Sequence, residues 1–246
     1  MKETVIQPNP KADLKLKRVG IEQTPVIIID DFAVETVAIR DAAQRAIDYG
    51  PDPHSAYPGL RTNLPREYYV PVLNSIYKLL YKAYAVPQEL AMRPVNTVYS
   101  LITTAEPDLI LSQRVPHFDS TDPFYLAILH YLAEGDYCDT GLFRHRPTGF
   151  ERIGKARLDS FIKSSAAFQA QHGEPAPAYI KDSNEHFELF DRIEYCPNRL
   201  VVYPGNLLHS GLVNPAKDID PNPATGRLTA NIFVNFAPAK TRQDHV

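Results

Sequence analysis

Asn198-Arg199-Leu200-Val201-Val202-Tyr203-Pro204-Gly205-Asn206-Leu207-Leu208-His209-Ser210-Gly211 is the stretch on which the fold turns. Its first half, 199–203, is a β-branched and aromatic run that suits a buried strand. Pro204-Gly205-Asn206 turns the chain, and Leu207-Leu208-His209-Ser210 resumes an extended course that ends on a histidine. Working outward, the same character predicts strands over 95–102, 109–118, 125–132 and 141–146, and a last one over 227–236. Ahead of them, Leu14 and Leu16 alternate with lysines in a short strand, and Val26-Ile27-Ile28-Ile29 reads as a buried one. Two helices follow, over 34–49 with an apolar face of Val37, Ile39, Ala42, Ala43, Ala46 and Ile47, and over 70–84 with Val72, Leu73, Ile76, Leu79 and Leu80. Tyr57-Pro58-Gly59-Leu60-Arg61-Thr62 between them reads as an ordered turn.

Residues 155–190 interrupt the strands. They read as a helix over 155–171, a Pro-rich loop, and a shorter amphipathic helical piece at Phe187-Glu188-Leu189-Phe190. Helices ahead of many short antiparallel strands predict a mainly β fold with flanking helices, in which a jelly-roll offers the rigid mouth a binding site needs. The expected organisation is one domain over 1–246. Within it, 14–94 form an N-terminal strand and helix support, 95–236 the β core and 155–190 a helical insertion, with loose ends at 1–12 and 238–246.

Composition narrows the function classes. Hydrophobic residues make up 44% and charged residues 22% of the 246, ordinary for a soluble globular chain. A net charge of −3 gives no argument for nucleic acid or a membrane surface. No N-terminal apolar run follows Met1-Lys2-Glu3, and no stretch approaches the ~20 apolar residues of a spanning helix, so a cytoplasmic location is expected. Cys138 and Cys196 are too few for a disulfide framework and read as two reduced thiols. The 22 prolines, against roughly 5% in average usage, mark a loop-rich chain.

The chemistry lies in His117, Phe118 and Asp119, in His209 92 positions later, and in Arg227. On a strand, residues two apart share a face, so His117 and Asp119 point one way and Phe118 the other. Two imidazoles and a carboxylate on one face of a metal leave open coordination positions, which is how non-haem iron sites admit a cosubstrate and dioxygen. Zinc accepts the same donors, but no extra acid stands near His117 or His209 in sequence to serve as a hydrolytic base. Arg227 opens the last strand with Thr229 and Asn231 on its face, and a guanidinium beside a hydroxyl suits a buried carboxylate. His54 and His172 in polar loops, His186 in the short helical piece and His245 in the tail read as solvated. His130 lies on the face opposite Tyr131.

These residues resemble the Fe(II)- and 2-oxoglutarate-dependent dioxygenases, over about 95–236, in the prolyl-hydroxylase-like branch and close to a bacterial family of uncharacterised members. The resemblance rests on Arg114-Val115-Pro116-His117-Phe118-Asp119, Ile128-Leu129-His130-Tyr131-Leu132, the 198–211 stretch and Gly226-Arg227-Leu228-Thr229. It implies a double-stranded β-helix (jelly-roll, cupin-like), with His117, Asp119 and His209 as Fe(II) ligands. It also implies that Arg227 grips the distal carboxylate of 2-oxoglutarate, with Thr229 and Tyr131 adding hydroxyl contacts. The implied reaction uses O2 to hydroxylate an unactivated C–H bond of an amino acid, peptide or other small metabolite, releasing succinate and CO2. Two departures stand out: the 18-residue step from His209 to Arg227 and the insertion at 155–190. A carboxylate at 119 argues against a halide ligand there.

Arg61, His145, Arg146 and Asn206 are substrate-contact candidates. The expected partners are a small-molecule or peptidyl substrate and no nucleic acid or membrane, in a monomer or homodimer. Two other classes fit the same residues: a cupin-like metal-dependent isomerase or hydrolase without 2-oxoglutarate, and a non-catalytic binding barrel.

Overall fold

The structure, a computed structural model, describes residues 6–46, 48–52 and 56–238. Ile47, His54, His245 and the outer parts of both expected loose ends lie outside the described residues.

The chain alternates between two antiparallel sheets. Strands β1 (Asp13–Val19), β2 (Thr24–Asp30), β3 (Gly50–Pro51), β4 (Gly59–Asn63), β5 (Leu90–Ile102), β6 (Leu126–Tyr131), β9 (Leu200–Pro204) and β11 (Thr229–Pro238) make one sheet. Its order is β1-β2-β9-β6-β11-β5-β4-β3. Strands β7 (Thr140–His145), β8 (Phe187–Ile193) and β10 (His209–Gly211) make the other, in the order β10-β7-β8. A bridge between His117 and His209 adds a fourth member beside β10. From β5 to β11 the chain passes back and forth between the sheets, which is the winding of a double-stranded β-helix.

Period-two alternation gives the large sheet two different faces. Leu126 and Ile128 of β6, Leu200 and Val202 of β9, and Ala230, Ile232 and Val234 of β11 belong to the core under the helices. That core also takes Ile39 and Ala43 of α1 (Thr36–Gln44) and Val72, Leu73, Ile76 and Leu80 of α2 (Arg66–Ala83). The opposite face meets the small sheet, where Ala127, Tyr131, Val201 and Tyr203 pack with Leu142 and Ile193. Ser100, Thr229 and Asn231 are buried there, so the interior between the sheets carries polar groups, while the helix side buries the His130–Tyr68 pair. Truncating a helix-side residue such as Leu80, with no exposed surface, costs about 2–5 kcal/mol.

Several expectations are corrected. The helix expected from 70 starts at Arg66, because Pro65 is extended and sets its first turn. The turn expected at 57–62 is in part β4, recruited as a neighbour of β5. The strand expected over 109–118 is instead two 3-10 turns, Glu106–Asp108 and Leu111–Gln113, and only His117 bridges. The helical piece expected at 187–190 is the start of β8, so the insertion's helical part is α3 (Lys155–His172) alone. Phe187 pairs with His145, Glu188 with Arg144 and Leu189 with Phe143, and an Arg144–Glu188 ion pair of 2.8 Å reinforces the register. A last short helix, α4 (Pro215–Asp218), lies in the long step before β11.

Among the described residues no helix is long and apolar enough to cross a membrane. Cys138 and Cys196 are both free thiols.

Candidate metal centre

Side chains from two distant parts of the sequence, His117 with Asp119 and His209, meet at one end of the small sheet. His117 and His209 form a reciprocal pair, with His117 N–H donating to the His209 carbonyl at 3.0 Å and His209 N–H to the His117 carbonyl at 2.9 Å. Directly opposed residues of an antiparallel pair project to the same side, and the two rings lie 4.4 Å apart. The Asp119 N–H donates to the Gly205 carbonyl at 2.6 Å, which draws the carboxylate under the Pro204-Gly205-Asn206 turn. A Cβ on Gly205 would lie 2.5 Å from Cδ1 of Tyr125 and 3.3 Å from Cβ of Asp119. Only glycine lets this backbone come so close.

The carboxylate stands between the imidazoles. His117 Nε2 is 3.9 Å from Asp119 Oδ1, and His209 Nε2 is 3.9 Å from Asp119 Oδ2. One ligand atom from each residue lies within 4.8 Å of the others, close enough to share a metal ion. The donor set fits a cation on two further observations. Asp119 Oδ2 is buried and has no hydrogen-bond partner. The His209 ring lies with Nδ1 2.8 Å from the Leu207 carbonyl, so Nδ1–H donates there and the Nε2 lone pair is left facing Asp119. Burial pushes the Asp119 carboxyl above its ordinary range, opposed by the nearby His209 and Arg61. His117 is held well below the usual imidazole range by withdrawal from water and then by the charges of His209 and Arg61. The surface it exposes faces two cavities.

The narrower cavity, about 110 Å³, joins the triad to two arginines, with Tyr57, Thr140 and Tyr203 in its walls. Arg227 is only 5% exposed. Its Nε donates to the Cys138 carbonyl at 3.1 Å, and its guanidinium lies 5.3 Å from the Tyr131 ring and 5.4 Å from the Tyr195 ring. Among the described residues Arg227 enters no ion pair. The Thr229 hydroxyl, buried two residues along the same strand, has no hydrogen-bond partner. The Tyr131 hydroxyl lies 2.9 Å from that of Thr140, and burial raises its pKa while the charge of Arg227 pulls it down.

The four residues Arg61, His145, Arg146 and Asn206 go to different places. Arg61 lines the narrow cavity, bonded to Asp52 at 3.1 Å and stacked over Tyr57 at 4.3 Å. His145 is fully buried, with Nδ1 2.7 Å from the Thr148 hydroxyl and Nε2 2.9 Å from His186 Nε2. It follows the alternation of Phe143, not the charge of its neighbours. Arg146 is tied to the Asn184 carbonyl at 2.8 Å. Asn206 lines a separate cleft with Thr121, Arg152 and Arg157. His172 and His186, expected to be solvated, stack on the two faces of Phe168 at 4.2 and 4.1 Å. Sequence reading missed Thr140, Tyr57, Tyr195 and Tyr203. An aromatic residue near a strand end carries no local sign of the ligand it will face.

Two imidazoles and a carboxylate gathered at one mouth define a double-stranded β-helix protein with a candidate metal centre. Within that class the chain belongs to a family of unknown function, DUF6445, whose model matches residues 10–234. No curated protein matches it. Among solved structures it is similar to HygX from Streptomyces hygroscopicus, a structure with nickel and 2-oxoglutarate bound, at 13% identity and a TM-score of 0.45, covering 88% of this chain and 87% of that one. It is also similar to AviO1 from Streptomyces viridochromogenes Tue57, at 13% identity and a TM-score of 0.41, covering 94% and 91%.

Proposed function

We propose that this protein is a non-haem Fe(II)- and 2-oxoglutarate-dependent dioxygenase that acts in the cytoplasm on a small-molecule or peptidyl substrate. The observation that carries the reading is Arg227, a buried guanidinium that enters no ion pair among the described residues, in the cavity that holds the triad. An uncompensated buried cation is costly, and a ligand that brings its own carboxylate removes the cost. A dicarboxylate can do so at one end while its other end reaches the triad.

His117, Asp119 and His209 would hold the metal, which supplies the redox chemistry that activates dioxygen. The balanced reaction is R–H + 2-oxoglutarate + O2 → R–OH + succinate + CO2. Arg227 would fix the distal carboxylate through its free N–H groups, with Thr229 offering its hydroxyl. Arg61 adds positive charge to the same cavity, which favours an anionic cosubstrate. His209 is already in the tautomer that ligation needs. Among the described residues no fourth histidine or acid joins the cluster, which leaves coordination positions for a cosubstrate.

The test is anaerobic titration of Fe(II)-loaded protein with 2-oxoglutarate. A weak visible charge-transfer absorption that saturates with cosubstrate is expected, and it should vanish in His209→Ala. A metal-loaded protein that shows no such band and releases no CO2 from 2-oxoglutarate would overturn the reading.

A further inference from the structure

The second cavity that reaches His117 is wider, about 460 Å³, and lies between α3 and the 111–118 segment. It shares His117 and Ser112 with the narrow cavity and is otherwise differently built. Val115, Phe118, Phe161, Phe168 and Phe187 supply apolar wall. Neither lysine nor arginine lines it, while Glu174 and Glu185 do.

Helix α3 shows that the cavity is built and not a packing gap. None of its 18 residues is buried. Phe161, Ser165, Phe168, Gln169 and His172 lie at helical spacing and all face the cavity. Leu158 and Phe161 pack against the buried cluster of Phe143, Ile153, Ile180, Phe187 and Leu208, while Phe161 and Phe168 also line the cavity. Their positions are fixed. Phe161 meets Phe118 edge-on at 5.9 Å, and Phe168 lies between the His172 and His186 rings. A rigid apolar recess with a few polar groups beside a reactive centre is the usual form of a substrate site.

We propose that this recess is the substrate pocket and that it takes a hydrophobic amine, with the apolar body against Phe161 and Phe168 and the ammonium at Glu174 and Glu185. The assignment of the bound molecule as substrate rests on the oxygenase reading; the binding chemistry does not. The charge contrast carries the choice. The narrow cavity holds the buried Arg227 and the Asp52-paired Arg61, whereas a free carboxylate or phosphate in the wide one meets no lysine or arginine and two acids, of which Glu185 lies 3.5 Å from His172. The shared His117 places a group bound there beside the metal ligands.

The test uses butylamine, hexylamine and octylamine against butanoate, hexanoate and octanoate, titrated into metal-free protein without 2-oxoglutarate and followed by ligand-observed NMR. Amine affinity should rise about fourfold per added methylene while the chain stays in the recess. Each carboxylate should bind more weakly than the amine of equal length. Gln169→Trp, on the cavity side of α3, should fill the space and abolish the length dependence. Glu174→Gln with Glu185→Gln should remove the preference for amines and leave the length dependence intact. No rise with chain length, or a rise that Gln169→Trp leaves unchanged, overturns the pocket. Carboxylates binding as well as amines, in a mode that Gln169→Trp abolishes, overturns the amine. Because neither metal nor cosubstrate is present, this outcome is independent of the titration that tests the oxygenase reading.

Discussion

Two cavities meet at His117, and they are made in different ways. The narrow one is walled in part by strand residues whose directions are fixed by pairing: His209 opposite Leu142, Arg61 opposite Ser100, Thr140 opposite Ile193. The wide one is walled by a helix without a single buried residue and by the irregular segment before His117. The first concentrates charge, with Arg227 and Arg61 facing the triad; the second has acids only at its polar margin. A sheet holds a few groups at fixed separations, as a metal and a small diacid require. A helix laid over a barrel mouth sets a volume, and its sequence can change without disturbing the sheets.

The sharpest way to break the comparison is to remove a ligand. Asp119→Ala should weaken Fe(II) binding by more than about a hundredfold, since loss of a ligand exceeds the 10–100-fold typical of its outer partners. Octylamine binding in the wide cavity should be unchanged. Equilibrium dialysis of the metal alongside the amine titration reads both.

Arg227→Met comes next and cuts two ways. It should weaken 2-oxoglutarate binding at least about thirtyfold, the effect of truncating one partner of a buried charge pair. The ligand-free protein should gain about 1 kcal/mol or more, because the variant no longer buries an unpaired cation. Calorimetry and urea unfolding measure the two, and a less stable variant would show that Arg227 already has a sufficient partner.

Acid should act on the wide cavity's wall. His145 and His186 are both lowered from 6.5 to about 4, by burial first and then by a neighbouring histidine, His186 for the former and His172 for the latter. A histidine depressed in the fold contributes stability that is complete above its ordinary pKa and is lost as pH falls from about 6.5 toward about 4. His130, under the helices, is lowered to about 4 by burial and works in the same direction. The expected outcome is a urea midpoint that declines across that window, with ring NMR signals of all three titrating near 4. A ring of His145 that titrates near 6.5 contradicts the buried pair.

Thr229→Val should have the smallest effect. Its hydroxyl is buried and unpartnered, so the isosteric change should leave the ligand-free protein as stable or up to about 1 kcal/mol more stable. Affinity for 2-oxoglutarate should fall by a factor of about five, the loss of one hydrogen bond of about 1 kcal/mol. Unchanged affinity would remove Thr229 from the cosubstrate contacts.

The candidate cluster was legible because its residues carry local marks. His117 and Asp119 stand two apart, and His209 follows the hydrophobic run of β9 and the Pro204-Gly205-Asn206 turn. The wide cavity was not legible. Phe187-Glu188-Leu189-Phe190 carries apolar residues at positions that suit a helix or a strand, and only pairing with β7 made it a strand. The 109–118 run is apolar at Leu109, Ile110 and Leu111, yet Pro107 precedes it and Pro116 lies inside it, and only His117 pairs with a strand. His145 looked like a charged strand end because Arg144 and Arg146 flank it, while alternation with Phe143 sends it inward.

The sequence by itself determined the strand-rich class, the helices that cover one sheet and the candidate donors of the cluster. Those depend on periodicity and on side-chain chemistry, which are properties of short segments. Tertiary structure alone decided that Arg227 would be buried with no ion pair among the described residues, that Tyr131 and Tyr195 would flank it, and that α3 would stand over a recess. Burial and the lack of a partner depend on what the rest of the chain brings near a residue, and no local pattern records that.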